Sequence, residues 1–195
     1  GIKIGLQYIT QRSPEEIREL SKFKKPIFYD GKFFDIKNTL VESVKSLKNL
    51  NVDYATVHLL NGLDALKAAN QAAQQINLNL LGVSVLTSFG DEDLENLGFS
   101  NKVEDQVKRL IKIAMEANLH GVICSPLEIK MIKKIAPKLK CFTPGIRIKS
   151  AKDDQKRTMT ADEAIKEGSD CLIIGRPITK GNPKKNIKNI RSSIN

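Results

Sequence analysis

Apolar residues fall along this chain in short dense runs separated by longer stretches of helical spacing. Runs at residues 2–6, 26–30, 54–58, 80–86, 121–124, 139–143 and 171–175 are rich in Ile, Val, Leu, Phe and Tyr, and too short for buried helices, so they read as strands. Between 37 and 51, Leu40, Val41, Val44, Leu47 and Leu50 recur every three or four residues. From about 102 to 119, Val103, Val107, Leu110, Ile111 and Ala114 mark one face of the longest helix. Three helices open with a reciprocal capping box, in which a Ser or Thr hydroxyl and a Glu three residues on satisfy backbone N–H groups. These are Ser13-Pro14-Glu15-Glu16, Ser125-Pro126-Leu127-Glu128 and Thr160-Ala161-Asp162-Glu163.

Strands this uniformly apolar have no wet face, so strict alternation with helices predicts an α/β fold with a parallel sheet covered by helices. Polar and glycine residues follow nearly every strand at its C-terminal end: Lys3, then Asp30 and Lys32, His58, Thr87 and Ser88, Ser125, residues 143–147, and Gly175 with Arg176. An open doubly wound sheet would gather its site at one switch point. Contributions from seven strand ends favour a (β/α)8 TIM barrel. Seven of the eight strands are identifiable, so the expectation is a single barrel domain over residues 1–195 that is N-terminally incomplete, with two exposed strand edges.

Composition adds little to the fold and more to the partners. With 195 residues, 41% hydrophobic and 28% charged, the chain has the makeup of one soluble globular domain. No run approaches a membrane span and the first residues lack the parts of a signal peptide, so a cytoplasmic protein with no membrane partner is expected. The net charge of +10 invites nucleic acid, but the lysines are spread over many helices, there is no Trp and no zinc-finger or RNP-like motif, so nucleic acid is not expected as a partner. A positive field would instead raise the encounter rate of a small anionic substrate. Cys124, Cys141 and Cys171 sit in apolar runs without Cys-x-x-Cys spacing, which predicts buried, reduced thiols and no metal ligands.

The densest chemistry lies in Asp30-Gly31-Lys32-Phe33-Phe34-Asp35, with Lys3 one strand upstream. Period-two alternation puts Asp30 and Lys32 at the end of a buried strand, facing the same way. Five segments together carry a resemblance: Ile2-Lys3-Ile4-Gly5; Asp30-Gly31-Lys32-Phe33-Phe34-Asp35-Ile36-Lys37-Asn38-Thr39; Val85-Leu86-Thr87-Ser88; Thr143-Pro144-Gly145-Ile146-Arg147 with Gln155 downstream; and Ile174-Gly175-Arg176-Pro177. In order and spacing they resemble the orotidine 5′-phosphate decarboxylase family, of the bacterial type, over essentially the whole chain.

The resemblance implies a carboxy-lyase that converts orotidine 5′-phosphate to uridine 5′-phosphate and CO2 without a cofactor, the last step of pyrimidine nucleotide synthesis. It implies that Lys32 protonates C6 of the pyrimidine, that Asp30 lies beside the substrate carboxylate, and that Lys3 and Asp35 complete the network. Asp35 and Thr39 are then offered to a partner subunit, in a homodimer with shared active sites, and Asn38 belongs to the same substrate-binding segment. Thr87 and Ser88 match the position that hydrogen-bonds the pyrimidine, and Arg147 a substrate-contacting arginine. Gly175 and Arg176 fall where this barrel commonly binds phosphate, and Gln155 lies in a polar segment, 147–158, with the size of a closing lid.

Elementary chemistry agrees with these roles, since a fixed ammonium aimed at a developing carbanion both stabilises its charge and supplies a proton. Structural alternatives stand beside each: a salt-bridge network between strands, a surface ion pair for Arg176, a turn at Thr87 and Ser88, and a packing role for His58. Two departures from the family pattern stand out: Lys37 replaces a usual proline, and Gly31, in place of a bulky apolar residue, is expected to loosen the strand. The family's N-terminal strand, with an aspartate that contacts the nucleoside, has no counterpart here. Two further readings remain open, a decarboxylase of a sugar phosphate such as 3-keto-L-gulonate 6-phosphate and a degenerate nucleotide-binding barrel without turnover.

Overall fold

The computed structural model describes residues 1–100, 102–147 and 158–194, and the chain forms two compact units. The first comprises Gly1–Val83 and Lys112–Gly121. Its strands β1 (Ile2–Gly5), β2 (Ile27–Phe33), β3 (Tyr54–His58) and β4 (Asn79–Val83) are parallel and hydrogen-bonded in that order. One residue aligns three of them at their N-terminal ends. Asp53 accepts the Ile27 N–H on its carboxylate at 2.7 Å, donates its own N–H to the Ile27 carbonyl at 2.9 Å, and accepts the Asn79 N–H on its carbonyl at 3.0 Å. With the strand starts in register, all four C-terminal ends present their side chains at one end of the unit.

The connecting helices follow the periodicity. Lys37–Ser46 buries Leu40 and Val44 and continues as a 3-10 turn, Leu47–Leu50, that buries Leu47. It packs against Leu63–Gln75, whose inner face is Ala65, Leu66, Ala69, Ala72 and Ala73. Small residues on that stripe let the two helices approach closely over the sheet.

The second unit comprises Ser84–Ile111 and Val122–Asn195. Here β6 (Lys140–Thr143) pairs in parallel with β9 (Cys171–Leu172), and the Cys124 N–H, just past β5 (Gly121–Ile123), donates to the Phe142 carbonyl at 3.2 Å. A two-residue pair, β7 (Ile146–Arg147) with β8 (Met159–Thr160), stands apart as its own small sheet. Asp170 ties β9 to β6: its carboxylate accepts the Cys141 N–H at 2.8 Å and receives Lys133 at 2.5 Å and Lys140 at 3.1 Å.

All three capping boxes form as expected, at Ser13 with Glu16, Ser125 with Glu128 and Thr160 with Glu163. The longest helix is Val103–Glu116. No described helix is long and apolar enough to cross a membrane. One cysteine departs from expectation. Cys124 and Cys141 are buried free thiols, but the free thiol of Cys171 is exposed, because β9 is two residues long and has only β6 beside it among the described residues.

Candidate active site

Along β1 and β2 the first unit gathers an alternating set of charges. Lys3 Nζ lies 2.8 Å from Asp30 Oδ2, and Lys32 Nζ lies 2.8 Å from Asp30 Oδ1, so each carboxylate oxygen carries its own ammonium. The Asp30 side chain is 11% exposed whereas those of Lys3 and Lys32 are 33% and 34% exposed. The anion is thus enclosed and both cations reach solvent. Burial by itself pushes the Asp30 carboxyl up; the two ammonium charges and their hydrogen bonds outweigh it and hold the group below the usual carboxylate range.

The backbone brings Asp30 and Lys32 together by a route other than the regular alternation expected from the sequence. Strand β2 continues past Asp30 to Phe33, but its register against β3 shifts between Tyr29 and Phe33, and Lys32 is left-handed at φ +48°. Such a bulge re-aims a side chain within a strand. Gly31 belongs to the same device. A Cβ there would lie 2.7 Å from Tyr29 Cε1 and 3.3 Å from Phe33 Cε1, so glycine is what allows the Tyr29 and Phe33 rings to close to 5.8 Å over it. The expectation that Gly31 merely loosens the strand is therefore replaced by a packing requirement.

Sequence reasoning missed two residues here. Thr56, fully buried in β3, accepts the Lys32 N–H at 2.8 Å and donates to Asp30 Oδ1 at 3.0 Å. The one aliphatic hydroxyl in the run Tyr54-Ala55-Thr56-Val57 is the available signal. Asn61 joins the loops after β2 and β3, donating to the Phe33 and His58 carbonyls at 3.0 and 2.7 Å and accepting the Asp35 N–H at 3.0 Å. His58 packs its ring against Phe34 at 5.5 Å, as the packing reading expected, and burial together with the Lys32 charge lowers its pKa, which keeps the imidazole neutral near neutral pH.

Asp35 does not join the Lys3–Asp30–Lys32 cluster within the chain. It is exposed, its Oδ1 accepts the Ile36 N–H at 2.7 Å, and no ammonium among the described residues pairs with it. Asn38 and Thr39 are exposed on the first turn of Lys37–Ser46. Exposed Phe34 and Ile36 flank Asp35. Lys37, the first residue of that helix, pairs with Asp64 at 2.7 Å.

The other residues named from sequence lie in the second unit. Thr87 and Ser88 form a turn closed by the Phe89 N–H to the Leu86 carbonyl at 2.9 Å. Arg147 is buried on β7, donating from Nη1 to the Ile146 carbonyl at 3.0 Å, and lines a cavity of about 200 Å3 with Thr160, Asp162, Ile174 and Pro177. Gly175 caps the short helix Arg176–Thr179, and Arg176 is exposed at its start. Nothing within 4 Å would oppose a side chain at Gly175, so close contact inside the chain is not why a glycine stands there. Gln155, with most of the lid segment, lies outside the described residues. A larger cavity of about 950 Å3 is lined by Lys102, Lys130, Met131 and Lys134 among others, and by none of the catalytic or substrate-binding candidates named from sequence. Among the described residues, no group of three or more His, Cys, Asp or Glu side chains is placed to hold a metal ion.

Comparison with known proteins gives a consistent result. The family model described as "Orotidine 5'-phosphate decarboxylase / HUMPS family" matches residues 1–190. The orotidine 5′-phosphate decarboxylase of Wolbachia pipientis subsp. Culex pipiens is 42% identical over 195 residues, covering 99% of this chain and 86% of that protein. That of Lawsonia intracellularis is 40% identical over 201 residues, covering 99% and 87%. Among solved structures, the orotidine 5′-phosphate decarboxylase from Lactobacillus acidophilus superposes with a TM-score of 0.87 at 32% identity, covering 99% of this chain and 86% of that one. The enzyme from Pyrococcus horikoshii OT3 gives 0.79 at 26% identity, covering 99% and 86%. The fold class is accordingly that of the α/β TIM barrels.

Proposed function

Because the chain belongs to the orotidine 5′-phosphate decarboxylase / HUMPS family, we propose that it decarboxylates orotidine 5′-phosphate to uridine 5′-phosphate and CO2, as a carboxy-lyase of pyrimidine nucleotide synthesis. The observation that carries this reading is the Lys3–Asp30–Lys32 cluster, two ammonium groups on one enclosed carboxylate at a strand end. In the reaction the bond from C6 to the carboxylate breaks, CO2 leaves, and the electron pair stays on C6. Lys32 gives C6 a proton, and the resulting amine regains one from water. No adjacent carbonyl absorbs that pair, so a cation fixed before the bond breaks lowers the barrier most directly.

Asp30 serves two ends. It holds both ammonium groups in place, and its charge faces the carboxylate that must depart. Lys3 keeps Asp30 ionised and takes up part of its field. Arg176 and Gly175, with Gln155, are assigned to the phosphate, where a guanidinium fork suits a dianion. Thr87 and Ser88 are assigned to the pyrimidine, and Arg147 to contact with the substrate. No cofactor enters this scheme.

The working form in this proposal is a homodimer. Asp35, Asn38 and Thr39 are exposed and, among the described residues, none is hydrogen-bonded or ion-paired to Lys3, Asp30 or Lys32 of its own chain, and the apolar side chains of Phe34 and Ile36 beside them favour cover by a second copy. We further propose a cytoplasmic location, in keeping with three free cysteines.

The test uses purified protein with orotidine 5′-phosphate and, in parallel, 3-keto-L-gulonate 6-phosphate. Release of CO2 from the nucleotide is expected; turnover of the sugar acid alone would overturn the assignment. Lys32→Ala should lower kcat by at least about 10³-fold, within the range for losing a positioned proton donor and its charge, with an unchanged circular dichroism spectrum. Mixing Lys32→Ala with Asp35→Ala subunits should restore part of the activity, since one hybrid site in each mixed dimer is intact. No recovery on mixing would remove the shared site.

A further inference from the structure

We propose that Thr56 is a positioning residue for this decarboxylation, whose hydroxyl sets Asp30 and Lys32 relative to each other; the inference rests on the function proposed above. Lys32 stands on a left-handed backbone, φ +48°, which a residue with a Cβ adopts only when its surroundings hold it there. The bulge that produces this conformation also takes the Lys32 N–H out of the regular ladder between β2 and β3. That N–H is met by Thr56 Oγ1 at 2.8 Å.

A hydroxyl has one proton to give. Because Thr56 Oγ1 accepts from the Lys32 backbone, its own proton is free to point elsewhere, and Asp30 Oδ1 lies 3.0 Å away. The same Oδ1 receives Lys32 Nζ at 2.8 Å. One closed circuit therefore runs from the Lys32 amide to Thr56, to the Asp30 carboxylate, to the Lys32 ammonium, and back along the lysine side chain. Thr56 is fully buried, so no water competes for either bond. Its role is to lock the bulge and, through it, the direction in which the ammonium points.

The charged and titratable groups around the circuit are Lys3 from β1, Lys32 on β2 itself and His58 from β3. With the Thr56 proton removed, Asp30 keeps both ammonium partners and stays ionised near neutral pH, so the defect should be geometric. An ammonium displaced by a fraction of an ångström loses rate steeply, whereas substrate affinity resides chiefly in the phosphate and base contacts.

Thr56→Val preserves shape and removes both hydrogen bonds; Thr56→Ser keeps the hydroxyl and drops the methyl group. For Thr56→Val, kcat should fall about 10- to 100-fold while KM changes by less than about threefold. Thr56→Ser should keep kcat within about threefold of the parent. Unfolded protein is excluded by the melting transition of each variant, and if Thr56→Val fails to fold, Thr56→Ser with Thr56→Ala carries the same comparison. A kcat for Thr56→Val equal to the parent's overturns the inference, as does a loss of equal size in Thr56→Ser. If the parent protein leaves orotidine 5′-phosphate unchanged, the proposed function fails instead, and the two failures are told apart by that control.

Discussion

Lys3→Met tests the charge cluster through stability as well as activity. Methionine keeps most of the aliphatic stem and deletes the ammonium that sits 2.8 Å from Asp30 Oδ2. At that separation a pair of unit charges is worth about 6 kcal/mol at an effective dielectric of about 20. A lysine side chain one-third exposed is screened by solvent and loses rotamer freedom on pairing, which reduces the net to about 1–3 kcal/mol.

The pH dependence has a definite sign. The Asp30 carboxyl is held below its ordinary value in the folded state, so its stabilising contribution is fully present above the unfolded pKa of about 4 and is lost as pH falls through the folded value. Removing Lys3 leaves burial less opposed and raises that folded value. Urea unfolding of parent and Lys3→Met at one protein concentration should therefore show a gap of about 1–3 kcal/mol that is constant from about pH 7 to pH 5 and closes below about pH 4. A variant as stable as the parent at neutral pH, or a gap that ignores pH down to the acid transition, would refute the electrostatic account.

Two further substitutions separate packing from charge. Gly31→Ala puts a Cβ 2.7 Å from Tyr29 Cε1, so the ring must move; a loss of about 1–3 kcal/mol by thermal or urea melting is expected, together with a lower kcat because Lys32 follows directly. Asp170→Asn weakens the tie between β6 and β9, which rests on the Cys141 N–H, Lys133 and Lys140. Burial raises the Asp170 carboxyl and those hydrogen bonds more than offset it, so the variant should lose about 1–3 kcal/mol near neutral pH, with the loss shrinking below about pH 4. Its kcat/KM should match the parent's at temperatures where both are folded.

Much of the fold is local and therefore legible. Capping boxes at Ser13, Ser125 and Thr160 form because each needs only residues three apart, and the stripe of Leu40, Val44 and Leu47 needs only helical period. Strand ends were harder. The run at 80–86 yields a strand that stops at Val83, because Val85 and Leu86 are apolar without belonging to the ladder. Cys171 is exposed although its run is apolar, since position at a sheet edge is not written in the residues themselves.

For the candidate site, residue types and order along the chain single out Lys3, Asp30 and Lys32 as charges at strand ends, and the structure joins the two lysines to Asp30 at 2.8 Å. Tertiary structure decided how they meet. The bulge at Lys32 depends on the register of β2 against β3, and its N–H finds a partner only because Thr56 arrives from a strand 24 residues away. Periodicity describes a segment repeating against itself, whereas a bulge and the hydroxyl that holds it are settled between segments. For that reason the sequence determined the fold class and the charged residues of the candidate site, and only the folded chain decided the direction in which Lys32 points.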